Sequence, residues 1–179
     1  MDQELSQPII DKPLPPVPLT PEQNDLCERL DNLYQKYNLR FKPSQMFRGA
    51  LYAARPQCRN NPDWIAQAAN SLREILYPFY SPEVGTVGTN KKTILNEYGS
   101  VTVSNQHISE IGRVYNILNA LAHHGNARKS KIDPSSFTLQ QFEQLLLDFQ
   151  QVMSITLTRQ LDVHSEIDAI LKLAPQTKP

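Results

Sequence analysis

Four polar side chains sit close together near the end of one helical stretch: Asn116, Asn119, His123 and His124. The spacings of three and four place Asn116, Asn119 and His123 on one helix face, beside an apolar stripe. A polar row flanking a core stripe is costly unless it meets a partner, water or a ligand. His123 is close to the helix C-terminus, where the dipole favours a cation. Imidazole titrates nearer to neutral pH than any other side chain. That suits general acid–base work on a phosphodiester. In an alternative reading the histidines of LAHHG only cap the last carbonyls of the helix.

Just beyond lie Arg128, Lys129 and Lys131. Such a run is ordinarily a solvated loop. Folded against the helix end, and together with Arg113, it would hold a phosphate backbone near His123 and His124. The whole chain balances 18 Lys+Arg against 18 Asp+Glu, which excludes bulk polyanion binding. The balance is uneven, however. Residues 107–131 carry four basic side chains against the single acid Glu110, and residues 132–179 carry three against six.

The elements that must position these groups are helical. Thr20-Pro21 with Gln23 forms a capping box and opens a first helix, with Leu26, Leu30, Leu33 and Tyr37 recurring at helical spacing. A second helix is expected from near Ser44 to Pro56. A third is expected from Asn61-Pro62-Asp63, carrying Trp64, Ile65, Ala68, Leu72 and Ile75 to a stop at Pro78. Trp64 and the cluster Tyr77-Pro78-Phe79-Tyr80 read as core and helix termination, not as a base-stacking platform. The fourth helix should run from about Ser104 to His124 on the stripe Ile108, Ile111, Tyr115, Leu118 and Ala122, with Gly125 as its stop. A second capping box, Thr138 with Gln141, opens the last helix, which can continue to about Leu173, roughly 50 Å. A helix that long overhangs a small bundle, so it either breaks or packs against a second subunit. Residues 81–104, with Gly85, Gly88 and Gly99, form an irregular insert with a candidate hairpin of 84–87 against 101–103. The expected architecture is therefore an all-α, up-and-down bundle of about five helices over residues 20–179. Residues 1–19, rich in proline, form an extended arm in front of it.

Most familiar catalytic and cofactor motifs are absent, so no cofactor is expected. His107, His123, His124 and His164 match no standard ligand set, and two cysteines are too few for a structural zinc site, so no metal is expected either. No window approaches a membrane span, and MDQELSQPII reads as no secretory signal. A cytoplasmic protein with no membrane partner is the expectation.

The string Asn119-Ala120-Leu121-Ala122-His123-His124 resembles the end of the active-site helix of HEPN domains. These are helical bundles, usually dimeric, found in prokaryotic toxins and antiphage nucleases. Their pattern is an Arg, four to six residues, then a His, with a polar residue often directly after the Arg. The resemblance implies Asn119 as that polar residue, His123 as the catalytic His, an RNA or nucleotide ligand, metal-independent RNA cleavage and a homodimer. It also implies an Arg at 118, where this chain has Leu118. Leu118 supplies neither a permanent charge nor a fork of donors, and Arg113 lies more than a turn away. A weak or lost catalytic site is therefore expected. The alternative is a non-catalytic module that dimerises or docks a protein partner through the C-terminal helix or the Pro-rich arm.

Overall fold

The structure is a computed structural model. It describes residues 15–36, 41–77, 79, 105–123, 132 and 136–173; the side chains of residues 36, 105, 108 and 159–173 are outside the description. Among the described residues there are five α-helices and no strand: α1 (Pro21–Lys36), α2 (Pro43–Ala53), α3 (Trp64–Leu76), α4 (Asn105–Ala122) and α5 (Leu139–Leu173). A short 3-10 turn, Pro56–Cys58, follows α2.

Both capping boxes form as the sequence predicts. Gln23 N–H donates to Thr20 Oγ1 at 3.2 Å and Thr20 N–H to Gln23 Oε1 at 3.1 Å. The pair Thr138 and Gln141 repeats this at 3.2 and 2.7 Å. At α2 the start signal works differently. Ser44 does not cap its own helix; its N–H and hydroxyl donate to the Asp31 carboxylate of α1, at 2.9 and 2.6 Å. A free donor at the α2 N-terminus is thereby satisfied by the neighbouring helix, which fixes α1 against α2. At α3, Asn61 Oδ1 accepts from Asp63 N–H at 3.0 Å, and the helix begins one residue later, at Trp64.

One core joins all five helices. Leu30, Phe47, Leu72, Ile75, Leu118, Leu121, Phe142, Phe149 and Met153 are each at most 1% exposed. The Phe47 and Phe149 rings stack at 6.1 Å, and Trp64 meets Phe142 edge-on at 5.5 Å. Ala50, Ala68 and Ala69 are fully buried, so small side chains let α2 approach α3 closely. The Tyr34 hydroxyl, in the buried interior, donates to the Ile75 carbonyl at 2.8 Å and ties α1 to the end of α3. Of the proline-rich arm, residues 15–20 are described: Arg48 donates to the Val17 carbonyl at 3.2 Å, and Leu19 packs on the core. The insert at 81–104 and its candidate hairpin lie outside the described residues.

The last helix does not break: α5 is continuous over 35 residues. Among the described residues no helix is long and apolar enough to cross a membrane.

Candidate functional site

The apolar stripe of α4 decides what its flank can do. Ile111, Val114, Leu118 and Leu121 are fully buried, which turns this face into the core. Asn119, one residue past Leu118, lies at the edge of that face and is half-buried, while Asn116 and His123 are exposed. Position 118 thus belongs wholly to the core. A guanidinium there would be buried among Leu and Phe side chains, which is the physical reason for a leucine.

The guanidinium comes from another helix. Arg73, in the last turn of α3, reaches across to α4. Its Nη1 donates to Asn119 Oδ1 at 3.4 Å and contacts His123 Nε2. Arg73 Nη2 donates to Glu74 Oε1 at 2.5 Å. The Arg73 side chain is 15% exposed and that of Glu74 42%, so the charge is held at the cluster's inner edge with its carboxylate towards solvent. An arginine can only donate, so in this contact His123 Nε2 stands in the acceptor position.

Position 73 carries a weak sequence signal. The 13 residues of α3, WIAQAANSLREIL, hold one basic and one acidic side chain, side by side at the end of an otherwise uncharged helix. The two bond to each other, so the pair by itself does not point to Asn119 or His123 on α4.

Of the other sequence candidates, Arg113 is not brought to this cluster. Its Nε donates to Glu110 Oε2 at 2.8 Å and its Nη2 to Asp148 Oδ2 at 2.7 Å, on the α4–α5 side of the bundle. The bonds to Asp148 and then Glu110 push its guanidinium further towards the charged form. Burial alone would raise the Asp148 carboxyl; hydrogen bonds from Arg113 and Gln144 outweigh that and lower it. His124, Arg128, Lys129 and Lys131 lie outside the described residues.

The cluster therefore offers one permanent cation, one amide, one imidazole with Nε2 engaged, and one competing carboxylate. It can take an anion on Arg73 by displacing Glu74 or His123. Among the described residues no three His, Cys, Asp or Glu side chains gather where a metal ion could sit. Comparison with protein-family models, curated proteins and solved structures found no match to this chain.

Proposed function

We propose that Arg73, Asn119 and His123 bind the phosphate of an RNA or a nucleotide, in a HEPN-like helical protein of a bacterial stress or defence system. The observation that carries this reading is the reach of Arg73 from α3 to Asn119 and His123. These are the two positions that match the family's polar residue and histidine, and Arg73 supplies the charge that position 118 lacks. A phosphate accepts a forked pair of bonds from a guanidinium better than an imidazole does. Ligand entry would release His123 from Arg73. In the unliganded arrangement His123 Nε2 is occupied and Glu74 neutralises part of the charge, so cleavage is weak or absent.

The test uses uridine 3′-monophosphate and an RNA oligonucleotide in metal-free buffer. Imidazole NMR signals of His123 should shift saturably with the mononucleotide, and Arg73→Gln should weaken that response at least tenfold, the loss of one charge-assisted bond. Unmoved His123 signals at saturating mononucleotide would sink the reading. Cleavage at background by both wild type and His123→Ala removes the nuclease and leaves the binding site.

The unbroken α5 favours a second reading alongside the first: a homodimer formed along that helix. At 1.5 Å per residue its 35 residues span about 52 Å. Gln144, Leu147, Gln151 and Ser154 are exposed, uncharged and spaced by three and four, the register of a helix–helix seam. Leu147 is 59% exposed. Sedimentation of wild type against Leu147→Glu checks this: the dimer should dissociate in the variant, and a wild type that sediments as a monomer ends it.

A further inference from the structure

The charge totals conceal a second basic region. From residue 32 to residue 62 the chain carries Lys36, Arg40, Lys42, Arg48, Arg55 and Arg59 and not one Asp or Glu. The acids of residues 1–106 all lie outside that window, so the balanced sum over that region hides it. The described part of this run is α2 and the turn behind it.

Four cations of the run, Lys42, Arg48, Arg55 and Arg59, are described, and their carboxylate competitors are few among the described residues. Asp31, the acid that precedes the window, is occupied by Ser44. No carboxylate ion-pairs with Arg48, Arg55 or Arg59 among the described residues. Instead these arginines are braced by uncharged groups. Arg55 lies over the Tyr52 ring at 5.0 Å, and Arg59 lies over Trp64 at 5.9 Å while its Nε donates to the Ala54 carbonyl at 2.9 Å. Arg48 is one helical turn before Tyr52 on the same face of α2. Arg48 and Tyr52 are both exposed.

Beside Tyr52 a cavity of about 450 Å³ opens along α2 and α3, with Gln57, Asn61, Gln67 and Ser71 also in its lining and none of the three arginines. The size lies within the range of small-ligand pockets. Its lining is uncharged and rich in amide and hydroxyl groups, which pair with the edge of a planar heterocycle. Gly49 lines one wall opposite Ser71, and a Cβ there would make an ordinary contact with Ser71 Oγ at 3.8 Å. Ser71 and Arg73 are two residues apart on α3, about 200° around the helix axis, so this face and the Arg73 cluster lie on opposite flanks.

We propose that this face docks a segment of single-stranded RNA, with one base in the amide-lined cavity against Tyr52 and the flanking phosphates on Arg48, Arg55 and Arg59. Charge complementarity selects a polyanion. The cavity and the exposed ring select one that carries unpaired bases, because a duplex presents no free base edge or face to such a groove. The proposal rests on the nucleic-acid reading above only for the class of ligand.

Trp64, the single tryptophan of the chain, sits under Arg59 and reports on this face. A 12-nucleotide oligouridylate should change its fluorescence saturably. Tyr52→Ala should weaken binding about tenfold, the loss of one stacked base. Arg55→Gln with Arg59→Gln should do at least as much, and should flatten the salt dependence of log K by about 1.4, the share of two phosphate contacts on a single strand. Arg55→Gln alone, which breaks no backbone hydrogen bond, guards against a folding defect in the pair and should flatten the slope by about half as much. Three results overturn the proposal: no binding of the oligonucleotide, affinity unchanged in these variants, or equal affinity for an oligoglutamate of the same length. Because the Arg73 cluster is read with a mononucleotide at His123, either surface can fail while the other stands.

Discussion

The α4–α5 seam and the α3–α4 flank each hold an arginine, a histidine and a carboxylate, and they treat them in opposite ways. At the seam Arg113 meets two carboxylates, Glu110 and Asp148, and Gln144 adds a donor to Asp148 at 2.9 Å. His107, 7% exposed, is 2.9 Å from Thr156 Oγ1, which lies 2.8 Å from the Val152 carbonyl; with the hydroxyl donating to that carbonyl, His107 Nε2 is the donor to Oγ1. Donors and acceptors match, as in a structural network. On the flank, Arg73 is more buried than Arg113, 15% against 45% exposed, yet among the described residues it pairs with one carboxylate, Glu74, and spends a donor on the His123 imidazole. The lesson is that burial alone does not mark a site. The mark is a buried cation whose partners are weaker than those a ligand would offer.

The largest effect tests whether the flank could carry its arginine at position 118. Leu118→Arg should cost about 3–5 kcal/mol, because the charge enters a fully buried slot between Leu and Phe side chains. Thermal melting checks it; a variant that melts with the wild type would mean that the core readily admits a cation there. Next, Thr156→Val keeps the shape but leaves the buried His107 donor without its acceptor, for about 1–3 kcal/mol in denaturant unfolding. A cost near zero would remove the structural status of the seam.

Cys27 gives a test of comparable size that involves neither network. It is 4% exposed, and burial, then the Asp31 charge, push its thiol up to about 11 against a partial offset from Arg48. The folded value lies above that of the unfolded thiol. Its contribution, on the order of 2 kcal/mol, is therefore complete below about pH 8.5 and lost as pH climbs towards 11. Cys27→Ala should flatten the alkaline limb of a stability–pH curve; an unchanged limb would discount the thiol.

The smallest effect belongs to Asp148. Its lowered carboxyl value means that its contribution is present above the usual unfolded carboxylate value and is lost as pH falls through the folded one. The Arg113 partner is 45% exposed, so solvent screening holds Asp148→Asn to under about 1 kcal/mol, all of it gone in acid. A larger cost, persisting at low pH, would show that the seam works through packing and not charge.

The fold was legible wherever local rules act alone. Both Thr/Gln capping boxes, the buried Ile111, Tyr115 and Leu118 of the α4 stripe and the stop before Pro56 follow from neighbours in sequence. Ser44 reads as a local cap but is satisfied by Asp31, thirteen positions back, because a bond between helices has no periodic signature. The same limit governs the site. Asn119 and His123 were readable from their spacing of four; Arg73, 46 positions from Asn119, was not. Arg48, Tyr52, Arg55 and Arg59 escaped for a different reason: charge summed over residues 1–106 averages them away.

The length of α5 sets how the molecule moves. A compact chain of 179 residues has a radius of gyration near 16 Å, equivalent to a sphere about 41 Å across. The 35 residues of α5 alone exceed that diameter. Rotational diffusion must therefore be anisotropic, slow for end-over-end tumbling and fast about the α5 axis. Amide vectors along α5 share one orientation and should relax as a group. A partner laid along the helix would change the slow rotation little and the fast one strongly, which gives binding a signature in relaxation as well as in mass.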